Sequence, residues 1–245
     1  MQGLMLHCGG QSATLADLKA VPLPARTETY SPVAHHELIK KVIAITMDVL
    51  PVKLVAQGFG LSHEGQRMFS HLRFKNGMGN REMGLCLGVV NSYDKRLPVK
   101  IAAGANVFVC DNLALTGDIT YMRKHTGDVW NIIEDAIRDH IGSSEDAFLQ
   151  VLVDVKQMKR IKLTNDKAYQ ILGLLYGNRM LTNPMMTIAR REWDEPSHKA
   201  FEPRNAWCLY NAITAALKLA RPEVILERHR DLHGFITGRH FKYIA

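Results

Sequence analysis

The spacing of apolar residues divides the chain into three parts. Apolar positions recur at helical spacing between residues 31 and 49, take strand-like patterns between 52 and 110, and return to helical spacing after Gly117. Residues 1–30 carry several Gly and Pro and no clear period, so they predict an N-terminal arm. A helix, then strands, then helices indicates an α+β protein rather than an alternating βαβ fold.

The first helix has recognisable start and stop signals. Ser31 can cap a helix and Pro32 is tolerated at its first position, so the sequence predicts a helix that begins there. Pro51 ends the apolar stripe that follows. Within the arm, we expect one short helical turn near Leu15 to Lys19.

Four strand-like segments follow, and turn signals between them favour hairpins. The dipeptides Asn76-Gly77 and Gly79-Asn80 are typical of tight turns, which indicates an antiparallel sheet of about four strands. The third segment is nearly all apolar, so it predicts a strand that is buried on both faces. The segments are Val52 to Ala56, Met68 to Phe74, Met83 to Val90 and a run within Ile101 to Cys110.

The last part of the chain predicts a series of helices. Apolar stripes and capping residues indicate separate helices that begin near Val129, Ser143 or Ser144, Thr164 or Asn165, Asn183, Asn205 and Pro222. We therefore expect an N-terminal arm over 1–30, a helix plus antiparallel sheet over 31–120, and a helical region over 121–245. The helical region is expected to pack on the sheet and form one globular unit with it.

Composition and charge narrow the function. The chain has 245 residues, a net charge of +7 and 47% hydrophobic residues, which suits a globular protein with an acidic partner such as nucleic acid. No apolar run is long enough to span a bilayer, and the N-terminal residues do not look like a signal peptide. The sequence therefore predicts a cytoplasmic protein that does not contact a membrane.

Motifs for common enzymes are absent. There is no phosphate-binding loop, dinucleotide-binding glycine motif, nucleophile elbow or zinc-protease motif, so we expect a binding protein rather than an enzyme. The four cysteines include no CxxC pair, and we predict no cofactor and no structural metal. His229 and His233 have the spacing of two zinc ligands, but without a third ligand a solvated polar helix face is expected.

Basic residues form the most informative pattern. Between Lys53 and Lys100 the sequence has eight Lys and Arg against three Asp and Glu, interleaved with Phe69, Phe74 and Tyr93. Cations that follow phosphates and rings that stack on bases suit single-stranded nucleic acid. The candidate nucleic-acid-binding residues are Arg67, Arg73, Lys75, Arg81, Lys95, Arg96 and Lys100 in the sheet, with Lys156, Lys159, Arg160 and Lys162 at a helix end.

Three carboxylates offer an alternative. Asp94, Asp111 and Asp118 lie near predicted strand ends, where they could hold Mg²⁺ as nucleases do. Aspartate is also favoured in turns because of its local hydrogen bonding. We favour the structural role for Asp111 and for Asn112 after it, as side chains that cap the end of a strand.

Several stretches together resemble a known protein family. They are LHCGG, NSYDKRLPV, GANVFVCDNLALTGD, RKHT, WDEP and NAWCLYNAIT, and the resemblance covers most of the chain, roughly Leu6 to Phe235. The family is borne by phages and plasmids and is classed as of unknown function, so the resemblance implies a mobile-element origin and a DNA-rich setting. It implies no catalytic residues. The predicted order of elements is also similar to the core of phage single-strand-annealing recombinases, which is a likeness of architecture alone.

These observations give three hypotheses. The first is a non-enzymatic DNA-binding protein of phage or plasmid origin, which binds or anneals single strands in recombination. It is expected to be a homo-oligomer and to meet replication or recombination proteins of the host or phage. The second is a metal-dependent nuclease or nucleotide-processing enzyme, and the third is an anti-defence protein that sequesters a host factor.

Overall fold

The computed structural model describes residues 10–76, 83–107, 113–123, 129–221, 224–238 and 241. Strands and helices account for most of these residues. The strands are β1 (Gln11–Ala13), β2 (Val52–Ser62), β3 (Arg67–Asn76), β4 (Met83–Ser92), β5 (Val99–Val107) and β6 (Leu113–Arg123). The helices are α1 (Leu15–Ala20), α2 (His35–Val49), α3 (Val129–Arg160), α4 (Asn165–Gly177), α5 (Asn183–Asp194), α6 (Ala206–Leu217) and α7 (Ile225–Thr237), with a 3₁₀ turn at Lys199–Phe201.

The strands form one antiparallel sheet in chain order, which confirms the predicted α+β class. The sheet has six strands rather than about four. Strand β1 is too short to show a period, and β6 was expected to be helical after Gly117. The pairing of β6 with β5 shifts between Thr120 and Leu115, so Gly117, after which helices were expected, lies at an irregularity inside a strand.

Both faces of the central strands are buried. Every residue from 84 to 90 in β4 is buried, so the prediction for this strand is confirmed. One face of the sheet contacts the start of α2, where Asn91 donates a hydrogen bond to the backbone oxygen of Val33. The opposite face contacts α7, where Lys100 pairs with Glu227. Side chains on both faces therefore have to be apolar, small or partnered.

Helix α2 begins three residues later than predicted. Its N-cap is Ala34, which supplies no side-chain cap, and Ser31 lies outside the helix. The backbone N–H of His35 instead donates to the hydroxyl of Tyr93, at 2.9 Å. The N-terminal N–H of the helix is therefore bonded by a side chain that is distant in sequence, whereas a local capping residue was expected.

Helix α3 is a single helix of 32 residues rather than two. Ser143 and Ser144 were expected to start a second helix, but the apolar stripe continues past them. Ile137, Ile141 and Phe148 are buried, and the stripe runs on through Val151 and Val155. Burial of the same side of the helix before and after the serines outweighs the preference of serine for helix ends. The helix contacts α2, β5, β6 and α6.

The helices and the sheet share one hydrophobic core. A continuous cluster of buried side chains extends from Leu18 in α1 through the strands to Ile236 in α7. Trp207 in α6 is part of this cluster and stacks on Tyr210. Within the ranges given above, no helix combines the length and apolar character needed to cross a membrane.

A glycine allows one buried histidine to lie within the sheet. His71 in β3 is directly opposite Gly58 in β2. A Cβ atom at Gly58 would lie 2.3 Å from the Cε1 atom of His71, closer than nonbonded carbon atoms approach. The imidazole therefore occupies the space that any side chain at residue 58 would need.

The same substitution at two glycines is expected to have opposite effects. Gly58→Ala should lower the free energy of unfolding by about 1 to 3 kcal/mol, because it forces the buried His71 ring to move. Gly173→Ala should raise it by about 0.5 to 1 kcal/mol, because Gly173 lies within α4 with open space around it. Urea denaturation of both variants measures this. An equally stable Gly58→Ala protein would contradict the close approach.

Candidate nucleic-acid interface

Three cations that the sequence assigns to a nucleic-acid surface are engaged or buried within the fold. The Nε atom of Arg67 lies 2.6 Å from a carboxylate oxygen of Asp94, and both side chains are largely buried. Lys100 is buried and pairs with Glu227 of α7. Arg73 is buried opposite Cys86 of β4. These side chains stabilise the sheet and do not form an exposed basic face.

The remaining sheet cations lie at opposite ends of β3. Lys75 is exposed and directly opposite Lys53 at one end, which places two like charges on neighbouring strands. Lys95 and Arg96 are exposed in the β4–β5 turn, beside the other end. Eight residues of strand span about 26 Å, so these pairs do not form one continuous patch. Arg81 lies outside the described residues.

The segment Asn91 to Asp94 holds the β4–β5 turn against the start of α2. Asn91 is fully buried, and its amide nitrogen donates to the oxygen of Val33 at 2.7 Å and lies 2.9 Å from Nδ1 of His35. The His35 and Tyr93 rings stack with centroids 3.8 Å apart. Nδ1 of His35 acts as an acceptor in this arrangement, and Nε2 can donate to the oxygen of Gly65 at 3.1 Å. The network therefore holds His35 as a neutral imidazole.

The β2–β3 turn is tied to the same point. His63, Glu64 and Gly65 all have positive φ angles, and the turn is fixed by bonds to other segments. Besides His35, the backbone N–H of Tyr93 donates to the oxygen of Gln66 at 2.7 Å. The Arg67–Asp94 ion pair joins the same two turns. The sequence NSYDKRLPV thus serves mainly as a structural junction.

Lys95 and the aromatic residues of the sheet have structural contacts. The ammonium group of Lys95 lies 4.7 Å from the centre of the Tyr30 ring, at a residue with a φ of 63°. Phe69, Phe74 and Tyr93 were expected to stack on bases, but all three are at least 95% buried. The sheet therefore presents no base-stacking surface from these three rings.

Among the three candidate carboxylates, contacts are described for Asp94. Asp94 is held by Arg67 and by the backbone N–H of Arg96. Asp118 lies on β6, and Asp111 lies outside the described residues, as does Asn112. Across the described part of the chain, no group of three His, Cys, Asp or Glu is arranged to hold a metal ion.

The two helical histidines are buried, in contrast to the expected solvated face. His229 is fully buried and His233 is 5% exposed, because α7 packs against β6 and α6. Nε2 of His233 lies 3.0 Å from a carboxylate oxygen of Asp154 in α3. The ring of Tyr210 meets that of His233 edge to face, and burial raises the pKa of the Tyr210 hydroxyl. This contact joins α3, α6 and α7.

The described cysteines are buried thiols. Cys86 and Cys208 are free, and burial raises their pKa values to about 12 and about 11. A thiol with such a pKa is protonated at neutral pH and is a poor nucleophile. Cys8 and Cys110 lie outside the described residues.

The C-terminal end of α3 carries the exposed basic group. Lys156, Lys159, Arg160 and Lys162 are all exposed, and no Asp or Glu occurs between Asp154 and Asp166. We call these four residues the basic end of α3. Asp154, the nearest acidic residue before them, is engaged with His233. The carboxylate that precedes the group is therefore directed into the protein.

A second segment fixes the chain beside the basic end. The N–H of Leu163 donates to the oxygen of Arg204, and the N–H of Ala206 donates to the oxygen of Ile161, both at 2.9 Å. Arg204 is exposed and lies over the ring of Trp193 at 4.8 Å. Its guanidinium group also donates to the backbone oxygens of Trp193 and Asp194. Sequence reasoning missed Arg204 as a neighbour of the basic end, because it is isolated in the chain and only this backbone pairing brings it there.

Asp94→Asn is expected to change the dependence of stability on pH. Burial alone raises the pKa of Asp94, but hydrogen bonds from Arg67 and Arg96 outweigh it, so the pKa lies below its ordinary value of 3.8. The ionised carboxylate therefore stabilises the fold above pH 3.8, and this contribution disappears as the pH falls through the lower folded pKa. Asparagine resembles the protonated acid, so the variant should lose roughly 1 to 2 kcal/mol at pH 7 and match the natural protein at low pH.

The exposed pair of Arg138 and Asp48 provides a matched control. It has the same 2.6 Å separation, but its side chains are 48% and 64% exposed. Asp48→Asn should change the free energy of unfolding by less than about 0.5 kcal/mol at either pH. Equal effects of the two substitutions at pH 7 would contradict the role of Asp94 as a tie between the turns.

Comparison with known proteins gives a family but no characterised relative. Neither a curated protein nor a solved structure shows significant similarity to the chain. The model of one protein family, DUF932, described as a domain of unknown function, matches residues 22–232. This agrees with the resemblance to a family of unknown function. The match covers most of the chain, and the protein therefore belongs to the DUF932 family.

Proposed function

We propose that this protein binds nucleic acid, in particular single-stranded DNA, as a non-enzymatic factor of a phage or plasmid. The observation that carries the proposal is the basic end of α3. It offers four exposed cations within seven residues and no carboxylate among them. Phosphate contacts from Lys and Arg supply most sequence-independent affinity for nucleic acid.

The arrangement of the other charges supports this location. The sheet cations Arg67 and Lys100 are paired with carboxylates inside the protein, so they contribute little to attraction at a distance. The charge at the basic end is fixed on a helix and on a segment bonded to residues 204–206. Because the backbone that carries these cations is already ordered, contact with a phosphate backbone costs freedom of their side chains but little freedom of the main chain.

The preference for single-stranded DNA is proposed from a likeness of architecture. A helix, an antiparallel sheet and following helices are similar to the core of phage single-strand-annealing recombinases. The buried aromatic residues of the sheet add nothing to base stacking, so phosphate contacts are expected to dominate. We therefore expect weak sequence preference and strong dependence on salt.

Removing two cations from the basic end should weaken binding. Lys159→Gln with Lys162→Gln should lower the affinity for a labelled single-stranded oligonucleotide and flatten the dependence of log K on log salt by about 1.4, since each phosphate contact contributes about 0.7. Fluorescence anisotropy across a salt series measures both. The melting temperature should stay unchanged, because exposed charges alter stability by no more than about 0.5 kcal/mol.

Two control variants make this test specific. Lys19→Gln with Lys40→Gln removes two exposed cations from other helices and should leave affinity and salt slope near those of the natural protein. Lys95→Ala with Arg96→Ala tests the sheet turn and should have a similarly small effect. Equal weakening by all three pairs would indicate attraction by net charge alone and would remove the site assignment. Tighter binding to duplex would contradict the single-strand preference, and Mg²⁺-dependent cleavage would contradict a non-enzymatic role.

A further inference from the structure

We infer that two copies of this chain associate through α3, in an antiparallel contact related by a twofold axis. The inference rests on the outer side of α3, opposite its buried stripe. Exposed residues recur there at alternating intervals of four and three, the spacing of a helix–helix contact. We call this set the α3 stripe: Gly142, Asp146, Leu149, Val153, Lys156 and Arg160.

The middle of the stripe is apolar and exposed. Leu149 is 40% exposed and Val153 is 45% exposed, one turn apart on the same side of the helix. Large apolar residues on a helix surface are unremarkable when they are scattered. Here they lie between one acidic residue, Asp146, and two basic residues, Lys156 and Arg160, which gives the surface a direction.

The charges of the stripe are separated along the helix. Asp146 precedes the apolar centre, and Lys156 and Arg160 follow it. A parallel partner would place aspartate against aspartate and lysine against lysine, which is destabilising. An antiparallel partner places Asp146 of each copy against the basic side of the other.

A second copy satisfies this pattern residue by residue. With the twofold axis level with Val151, Leu149 of one copy meets Val153 of the other, because both lie two residues from the axis. Asp146 meets Lys156 at five residues, and Gly142 meets Arg160 at nine. Each contact occurs twice, as the symmetry of an isologous dimer requires.

The size of the surface indicates a weak and reversible dimer. Because the axis is level with Val151 and the helix ends at Arg160, the symmetric contact runs from Gly142 to Arg160, about 27 Å, and a helix contact is about 10 Å wide. The contact would therefore cover roughly 270 Å² on each copy, which is smaller than stable specific interfaces and suits a transient association. With only two apolar residues per copy, complementary charge supplies the specificity, so association should weaken as salt rises.

This inference goes beyond nucleic-acid binding but shares residues with it. Lys156 and Arg160 belong both to the stripe and to the basic end, so self-association and phosphate binding would compete for them. Lys159 and Lys162 lie outside the stripe. The two proposals can therefore fail separately, since association is measured without nucleic acid and DNA binding is tested at Lys159 and Lys162.

Reversal of one charge in each half tests the contact directly. Asp146→Lys places lysine against Lys156 of the second copy, and Lys156→Glu places glutamate against Asp146. Each variant alone should self-associate at least about tenfold more weakly than the natural protein, because like charges then meet twice. Sedimentation equilibrium at low salt measures this. Lys40→Glu reverses an exposed charge elsewhere and should leave association unchanged.

An equimolar mixture of the two variants supplies the decisive result. In a mixed pair, the lysine introduced at position 146 meets the glutamate introduced at 156, and Lys156 meets Asp146. Both contacts are again attractive, so association should return to within about threefold of the natural protein. A natural protein that stays monomeric at low salt overturns the inference. So does association that resists both substitutions, or a mixture that is no stronger than its components.

Discussion

The burial of the sheet on both faces is the constraint on which the rest of this structure depends. Antiparallel sheets often leave one face in water, but residues 84 to 90 of β4 are all buried. A charged side chain on such a sheet needs a partner inside the protein. Lys100 therefore pairs with Glu227, and Arg67 pairs with Asp94 at the rim. The three cations on the buried part of the sheet, Arg67, Arg73 and Lys100, are thus used to hold the fold together.

The long helix α3 contributes to the core and also presents a surface to solvent. One side of this helix is buried from Ile137 to Val155, and the other side stays exposed over the same length. Asp154 turns inwards to His233, whereas the cations after it turn outwards. One helix thus carries part of the core on one side and the main candidate interaction surface on the other.

The sequence predicted what depends on local pattern. It predicted the α+β class, the antiparallel pairing, the two-sided burial of β4 and the basic end of α3, because each is visible as periodicity or composition. It did not predict which buried polar groups are hydrogen-bonded by residues that are distant in sequence. Tyr93 caps α2 across 58 residues, and no local signal marks it. Burial of His229 and His233 likewise depends on the packing of α7 against neighbours that are far away in sequence.

The candidate site residues show the same difference between local pattern and contacts over long distances in the sequence. Composition identified the excess of cations between Lys53 and Lys100, but composition does not distinguish a cation in solvent from one in an ion pair. Whether Arg67 binds phosphate or Asp94 is decided by the approach of two turns in space. Arg204 shows the opposite case. The backbone pairing of residues 161–163 with residues 204–206 brings it beside the basic end of α3, although the two segments are far apart in the sequence.

The open edge of the sheet has a consequence for how molecules of this protein meet. Strand β1 pairs only with Phe59 to Leu61, so among the described residues no strand covers the outer side of β2 before Phe59. That edge carries an exposed lysine, Lys53, and an irregularity in pairing between Leu54 and Ala56. A charged and kinked edge is a poor template for an incoming strand. Crowded copies of the chain are thereby discouraged from joining their sheets into fibrils.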